Sequence, residues 1–453
     1  MTGKEKLFAT LRHEEVTQAP WVPFAGVHAG FIKGYTATEI LTDADKLYEC
    51  LMEANKLYMP DGQPIAFDLQ LEAEQLGCGL MWADDNPPSV TTHPWENEPD
   101  YSKDITNTGR IKLVMDVAAR MKESVGETTA LYGLFCGPFT LMSHLRGTNL
   151  FFDMKKNPDL VKEMQKYIVK QCKLMIDWYD EVGMDVIVPV DPLISQISAK
   201  HFLAYMTEPY TEIFDYIRSK GKFSAFFVCG NAERNLEVMC QTKPDAISID
   251  ENIPMARAKA ITDQYNVVIG GNIPLTTTML FGNQMDNMKF VVDMVDSLDI
   301  PNKNLVIAPG CDMPYNVPVE NGIAVSKAAK DLDGTRELVK NYEAVDDDVD
   351  VELPDYDNLD RPLLEACTLD SAQCAACGYM WAMVMDAKEK YGDRIDVVEY
   401  KYNDKVNIAR DKKLGLTNLP TLVIDGVPKY VSIIPDHEEF FAYIDEVLKK
   451  YEK

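Results

Sequence analysis

A chain of 453 residues is too long for one ordinary domain and suits a large domain followed by a small one. Hydrophobic residues at 46% and charged residues at 26% give the balance of a water-soluble globular protein, and no apolar run is long enough to span a membrane. The formal net charge of -27 opposes contact with nucleic acid and anionic membranes, so neither is an expected partner.

The opening stretch, MTGKEKLFATLRHEE, reads as an amphipathic helix and lacks the apolar core of a secretory signal. The expected location is cytoplasmic. There, scattered cysteines are reduced thiols, metal ligands or redox centres.

Eight short apolar runs follow, each succeeded by a helical stretch: Trp21–Val27, Pro64–Phe67, Ala130–Phe135, Asp185–Val190, Phe223–Val228, Ala246–Ile249, Asn266–Ile269 and Leu305–Ala308. Apolar strands alternating with helices predict a parallel sheet buried on both faces, and eight such units predict closure into a (β/α)8 TIM barrel over residues 1–342. A doubly wound open sheet is the competing arrangement; the count of eight and the lack of a glycine-rich nucleotide signature favour the barrel. Asn157-Pro158-Asp159 opens a long helix that runs to Gly183, and a second helical stretch, from Ala199, stops at Gly221. Between the second and third runs, the excursion Gly77–Pro99 either lids the barrel mouth or covers its edge.

Residues 343–361 are acidic, with no helical period, and read as an extended linker. Residues 362–453 then show a compact pattern. A strand at Pro362–Thr368 leads to Cys374-Ala375-Ala376-Cys377, which opens a helix. A second strand, a second helix and the Leu419-Pro420-Thr421 approach to a hairpin follow, and a last helix ends the pattern. A thiol pair at a strand-to-helix junction and a proline before a strand resemble a thioredoxin-like domain, with Cys374, Cys377 and Pro420 as its redox residues.

In a barrel, chemistry sits where the strands end. Residues at or just after the eight runs are His28, Asp68, Cys136, Asp191, Cys229, Asp250, Asn272 and Cys311. Aspartate and asparagine suit turns and helix caps. Three cysteines and a histidine do not, and thiolates joined by a nitrogen or oxygen donor select zinc. Cys229 and Cys311 lie too far apart for a local zinc knuckle, so their pairing depends on the barrel. A pair of buried free cysteines is the plain alternative.

Several segments resemble the uroporphyrinogen decarboxylase-like, corrinoid-linked methyltransferases. They are FDLQLEAEQLG, CGPFTL, VPVDPLISQISAKHF, FFVCGN, AISIDENI, GGNIP with MLFG, and APGCDMPYNVPVENGIA, in the family's order over about the first three quarters of the chain. The resemblance implies an anaerobic-type enzyme moving a methyl group between a small substrate (a thiol, an aryl methyl ether or an amine) and a corrinoid protein partner, assisted by zinc. In the family's thiol-methylating members a His-x-Cys pair and a later cysteine hold the metal. Cys229 and Cys311 match the cysteines, but Phe227 stands at the histidine position.

His28 is then the candidate third ligand, with Asp250, Glu72 and Glu74 behind it. The alternative for His28 is a capping or substrate-bonding role. Asp191, Asp250, Glu72 and Glu74 are expected to orient substrate or carry protons. Asp68 matches the aspartate with which the decarboxylases bind pyrrole nitrogens. Loss of the family histidine leans towards demethylation of a donor. Two rival functions stand beside this one. The first is a redox or binding protein with an idle barrel. The second is a uroporphyrinogen decarboxylase, disfavoured because PFAGVHAGFIKGY carries no arginine to hold a polyanion.

Overall fold

The computed structural model describes residues 1–344, 349–371, 375–435 and 437–451. The chain divides into two compact units, Met1–Ala344 and Val345–Lys453.

The first unit is an α/β body around a curled sheet of seven parallel strands. In chain order these are β1 (Gly62–Pro64), β2 (Ala130–Cys136), β3 (Val186–Val190), β4 (Phe223–Val228), β5 (Ala246–Ile249), β6 (Val268–Ile273) and β7 (Leu305–Pro309). Each pairs with the next. All but one of their residues are buried, as expected of parallel strands covered on both faces.

The expected strand Trp21–Val27 is a correction. Only Trp21 makes a bridge, to Ile307 of β7. Pro20 and Pro23 flank this point, and a residue without an N–H cannot continue a ladder. The short contact still occupies the eighth position: the Trp21 carbonyl accepts from the Asp61 N–H at 2.9 Å beside β1, and the Val22 N–H donates to the Ile307 carbonyl at 3.0 Å. Other boundaries move slightly. The run placed at Asn266–Ile269 starts at Val268, because Asn266 adopts a left-handed turn with φ +53°. It then runs on to Ile273, which puts Asn272 inside the strand.

Alternate strand residues point inward, among them Tyr132 and Leu134, Val186 and Val188, Ala225 and Phe227, and Val306 and Ala308. Leu7 and Leu11 of the first helix, Gly3–Leu11, join the same cluster, and Phe8 packs on Phe223 at the start of β4, so this helix covers the end of the sheet opposite the strand ends. At the other end Phe227 meets Phe24 and Phe67 edge-on, with ring centroids 4.7 and 5.5 Å away. Burying a phenylalanine contributes roughly 1.5–3 kcal/mol, so these rings make an apolar floor that is costly to replace with polar groups.

The long helix Pro158–Glu181 has proline at its first position, and its buried face runs through Val161, Met164, Ile168, Cys172, Met175, Ile176 and Tyr179. That spacing is the three-and-four step of a helix with one face on the core. The excursion Gly77–Pro99 holds a two-stranded ribbon, Leu80–Met81 against Ser89–Val90. Its far end is pinned by Arg146, which donates to the carbonyls of Glu96 and Asn97 at 2.9 and 2.8 Å.

In the second unit the sheet contains β8 (Leu363–Thr368), β9 (Asp396–Lys401), β10 (Thr421–Ile424) and β11 (Val427–Val431), in the spatial order β9-β8-β10-β11. The first pair is parallel and the other two antiparallel. The Leu419–Pro420 peptide is cis. Part of the acidic stretch packs inside this unit: Val351 is buried, and its carbonyl accepts from Lys413 Nζ at 2.6 Å. Cys374 lies outside the described residues. Cys377, on the first turn of the helix Ala375–Tyr391, is buried, and its Sγ accepts from the Leu369 N–H at 3.3 Å.

Candidate active site

The strand ends of the first unit divide into three neighbourhoods. The first is a wall of carboxylates after β1. Leu71–Gln75 forms a single short helix there and presents Glu72 and Glu74. Asp68 accepts from the Gln70 N–H at 2.9 Å and from Arg110 Nη1. Arg110 Nε reaches Glu74 at 2.7 Å, and the guanidinium lies 4.9 Å from the Trp82 ring centroid. Arg110 thus braces two carboxylates with a planar fork, a geometry that lysine does not reproduce.

Glu72 is 1% exposed. Its Oε1 accepts from the Cys136 N–H at 3.1 Å, while Oε2 has no partner. Burial pushes its pKa up to about 8, against the backbone hydrogen bonds that lower it. Gln70 Oε1 and Arg110 Nη2 are also buried without partners. Buried polar atoms left unsatisfied call for an explanation, and these three make the wall after β1 a candidate binding position.

The second neighbourhood is the socket of Asp191, after β3. Its carboxylate accepts from the Phe139 N–H at 2.8 Å, the Thr140 N–H at 3.0 Å, Thr140 Oγ1 at 2.6 Å and the Tyr210 hydroxyl. These bonds tie β3 to the start of the helix Pro138–Arg146. Burial raises the Asp191 pKa to about 6 in spite of them. Asp191, expected to orient substrate or carry a proton, thus has its oxygens filled by four protein donors, the geometry of a brace.

The third neighbourhood contains the sulfurs. Cys229 follows β4 and Cys311 follows β7, and the fold brings them together as a disulfide with Cα atoms 5.8 Å apart. Asp250 fixes the turn after Cys229, accepting from the Gly230 N–H at 2.8 Å and the Asn252 N–H at 2.9 Å. Gly230 has φ +79°, a conformation that a side chain strains. Burial raises the pKa of Asp250, and that of the adjacent Glu251 rises to about 8. Asp312, beside Cys311, accepts from the Gly26 N–H at 2.8 Å, and burial lifts its pKa well above the ordinary range. Asn272 donates to the Asp250 and Ile253 carbonyls at 3.0 and 2.6 Å, and so braces this turn.

His28 does not join the sulfurs. It opens the helix His28–Lys33, fully buried. Its Nδ1 lies 2.9 Å from the Tyr315 carbonyl and its Nε2 lies 2.6 Å from the Tyr58 hydroxyl. A carbonyl only accepts, so Nδ1 carries the proton and Nε2 receives the Tyr58 O–H. Burial lowers the His28 pKa to about 4, so the ring is neutral. Both nitrogens are engaged, and the ligand role expected for His28 is corrected to that of a strut.

Zinc does not fit the donors assembled here. The sulfurs are bonded to one another, Phe227 supplies hydrocarbon where an imidazole was needed, and no group of three or more His, Cys, Asp or Glu able to hold a metal occurs among the described residues. Cys136 is fully buried and its thiol pKa is raised by burial, so it is no exposed nucleophile.

Sequence reasoning missed Arg110, Glu251 and Asp312. Arg110 did leave a signal: it sits in the first turn of the helix Gly109–Val125, where a cation opposes the helix dipole and needs another reason to be there. Glu251 and Asp312 are immediate neighbours of residues already singled out; both are partly exposed, and only the fold supplies the desolvation that raises their pKa values.

Fold and strand-end chemistry together define an α/β protein of the TIM-barrel-like kind with a polar, partly unsatisfied mouth. Residues 2–332 match the family described as uroporphyrinogen decarboxylase (URO-D), and the chain belongs to that family. It is 27% identical to the methylcobamide:CoM methyltransferase MtbA of Methanosarcina acetivorans over 346 residues, 73% of this chain and 98% of the relative. It is 23% identical to the uroporphyrinogen decarboxylase of a Wolbachia sp. over 67% of this chain and 86% of that protein. A solved methyltransferase from Methanosarcina mazei superposes with a TM-score of 0.67 at 21% identity, covering 73% of this chain and 99% of that one, which supports the fold. The family match ends before the second unit. No helix among the described residues is long and apolar enough to cross a membrane.

Proposed function

We propose that the chain is a corrinoid-linked methyltransferase, moving a methyl group between a small thiol, aryl methyl ether or amine and a corrinoid carried by a partner protein. The observation that carries this reading is the open oxygen of Glu72, buried beside the Arg110-braced carboxylates. Its support from relatives is the 27% identity to a methylcobamide:CoM methyltransferase over nearly all of that protein.

The corrinoid supplies the cobalt that carries the methyl group. The chain's own residues hold the small substrate and manage its proton. With its pKa near 8, Glu72 keeps a proton at neutral pH. An unpartnered, protonated Oε2 is a donor for the substrate heteroatom, and it delivers that proton as the methyl group leaves. In the opposite direction the Glu72 carboxylate accepts the proton of a thiol. Arg110 keeps Asp68 and Glu74 in place around it. Asp250 acts by fixing the Cys229 turn. Zinc forms no part of this reading.

Decarboxylation of a porphyrinogen is disfavoured on charge. The arginine at the acid wall is already shared by Asp68 and Glu74 and has little left for a polyanion.

Supplying the chain with a methylated corrinoid protein or methylcobalamin, together with thiols, aryl methyl ethers or methylamines, should give transfer followed by the corrinoid spectrum. Glu72→Gln should lower that rate by about a hundredfold, within the range of lost general acid catalysis. Absence of transfer from every donor and to every acceptor would sink the assignment.

The second unit we assign, as a separate proposal, to the thioredoxin-like class over residues 362–453. Its support is the strand order, the parallel first pair, the place of Pro420 just before β10 and the position of Cys377 on a first helical turn. The full chain should then reduce a small disulfide at a rate abolished by Cys374→Ser and by Cys377→Ser. Unchanged rates in both would refute the assignment.

A further inference from the structure

We propose that Cys229 and Cys311 form a reversible dithiol–disulfide centre at the strand ends, opened by a dithiol reductant. This is independent of methyl transfer and is tested without it.

Four observations carry it. The sulfurs come from strands that are not neighbours: β4 pairs with β3 and β5, whereas β7 pairs with β6 and touches Trp21. Even so, their Cα atoms lie 5.8 Å apart, within the ordinary span of a disulfide. Both backbones are seated for that approach. Gly230 makes the left-handed turn after Cys229. At Gly310, before Cys311, a Cβ would come within 2.8 Å of the Glu251 nitrogen.

Exposure separates this pair from the other described cysteines. Cys50, Cys78, Cys136, Cys172, Cys240, Cys367 and Cys377 are all buried, whereas Cys229 and Cys311 are partly exposed and pack on the core from above. An external thiol can therefore reach this bridge. Finally, the sulfurs pack on the cluster that holds Phe24, Phe67 and Phe227, and among the described residues no group of three His, Cys, Asp or Glu able to hold a metal includes them.

The exchange balances in two steps. A thiolate of the external dithiol attacks one sulfur of the bridge and forms a mixed disulfide, and the other cysteine leaves as a thiolate that takes up a proton. The second thiol of the reductant then attacks the mixed disulfide, closes its own disulfide and releases the remaining cysteine. The reductant loses two electrons and two protons, and the protein pair gains them. Bridged, the sulfurs have no thiol to present; reduced, they present two thiols at the barrel mouth.

The test uses the intact full-length chain equilibrated under native conditions in dithiothreitol buffers from oxidised to reduced, then quenched with acid, alkylated and peptide-mapped. Expected is a linked Cys229–Cys311 peptide in oxidising buffer that falls by more than about tenfold in reducing buffer and returns on reoxidation. The variant Cys229→Ser should lose the linked peptide and leave Cys311 open to alkylation. Three results would overturn the proposal. The first is alkylation of both cysteines in every buffer while circular dichroism stays native. The second is a link that persists in excess dithiothreitol, which would make it a static brace. The third is uptake of one zinc by the reduced chain that Cys229→Ser and Cys311→Ser abolish, which would make the pair a metal site.

Discussion

The socket around Asp191 and the wall around Glu72 are built from the same material and behave in opposite ways. Both carboxyls are buried at strand ends, and burial raises the pKa of both. Asp191 receives four donors from the protein, whereas Glu72 receives one and keeps an oxygen free. The lesson is that burial of an acid does not by itself mark chemistry. A filled set of hydrogen bonds makes a brace, and an open one leaves a proton available for something outside the protein.

That contrast breaks first at Asp191. Asp191→Ala would strand two backbone N–H groups, the Thr140 hydroxyl and the Tyr210 hydroxyl, and should cost about 3–5 kcal/mol in urea unfolding. A loss below about 1 kcal/mol would mean that the socket is not a brace. Next comes Arg110. Arg110→Ala leaves the fully buried Asp68 side chain without its cation and should cost about 2–4 kcal/mol, with Arg110→Lys recovering only part.

A smaller effect belongs to His28. Tyr58→Phe removes the donor to Nε2 and should cost about 1–1.5 kcal/mol. The His28 pKa is depressed, so its contribution to stability is present above the ordinary histidine value of 6.5 and is lost as pH falls through about 4.

A pH dependence sharpens the contrast at Glu72. Its folded pKa is raised, so its contribution is fully present below the ordinary 4.5 and is lost as pH rises through about 8. Thermal melting of Glu72→Gln should therefore gain on the parent chain at pH 9 and show no gain at pH 4. An equal gain at both pH values would show that the carboxyl does not titrate as the burial implies.

Much of this was legible in the chain itself. Continuous apolar runs such as Ala130–Phe135 and Asp185–Val190 read as strands buried on both faces, and their alternation with helical stretches points to a parallel α/β body. The strand-end positions of Asp191, Cys229, Asp250 and Cys311 follow from the same pattern. The first strand misled because its apolar run is real, but Pro20 and Pro23 remove the donors that a ladder needs.

What the sequence determined by itself was periodicity, and with it which residues stand at the strand ends. Only the tertiary structure decided which of those residues were already satisfied. His28 gives both nitrogens to Tyr315 and Tyr58, segments far from it in sequence. Arg110 reaches back across forty-two positions to Asp68. The physical reason is that a pattern of apolar residues encodes direction, inward or outward, whereas a hydrogen bond between distant segments depends on the positions of two atoms that no local pattern constrains.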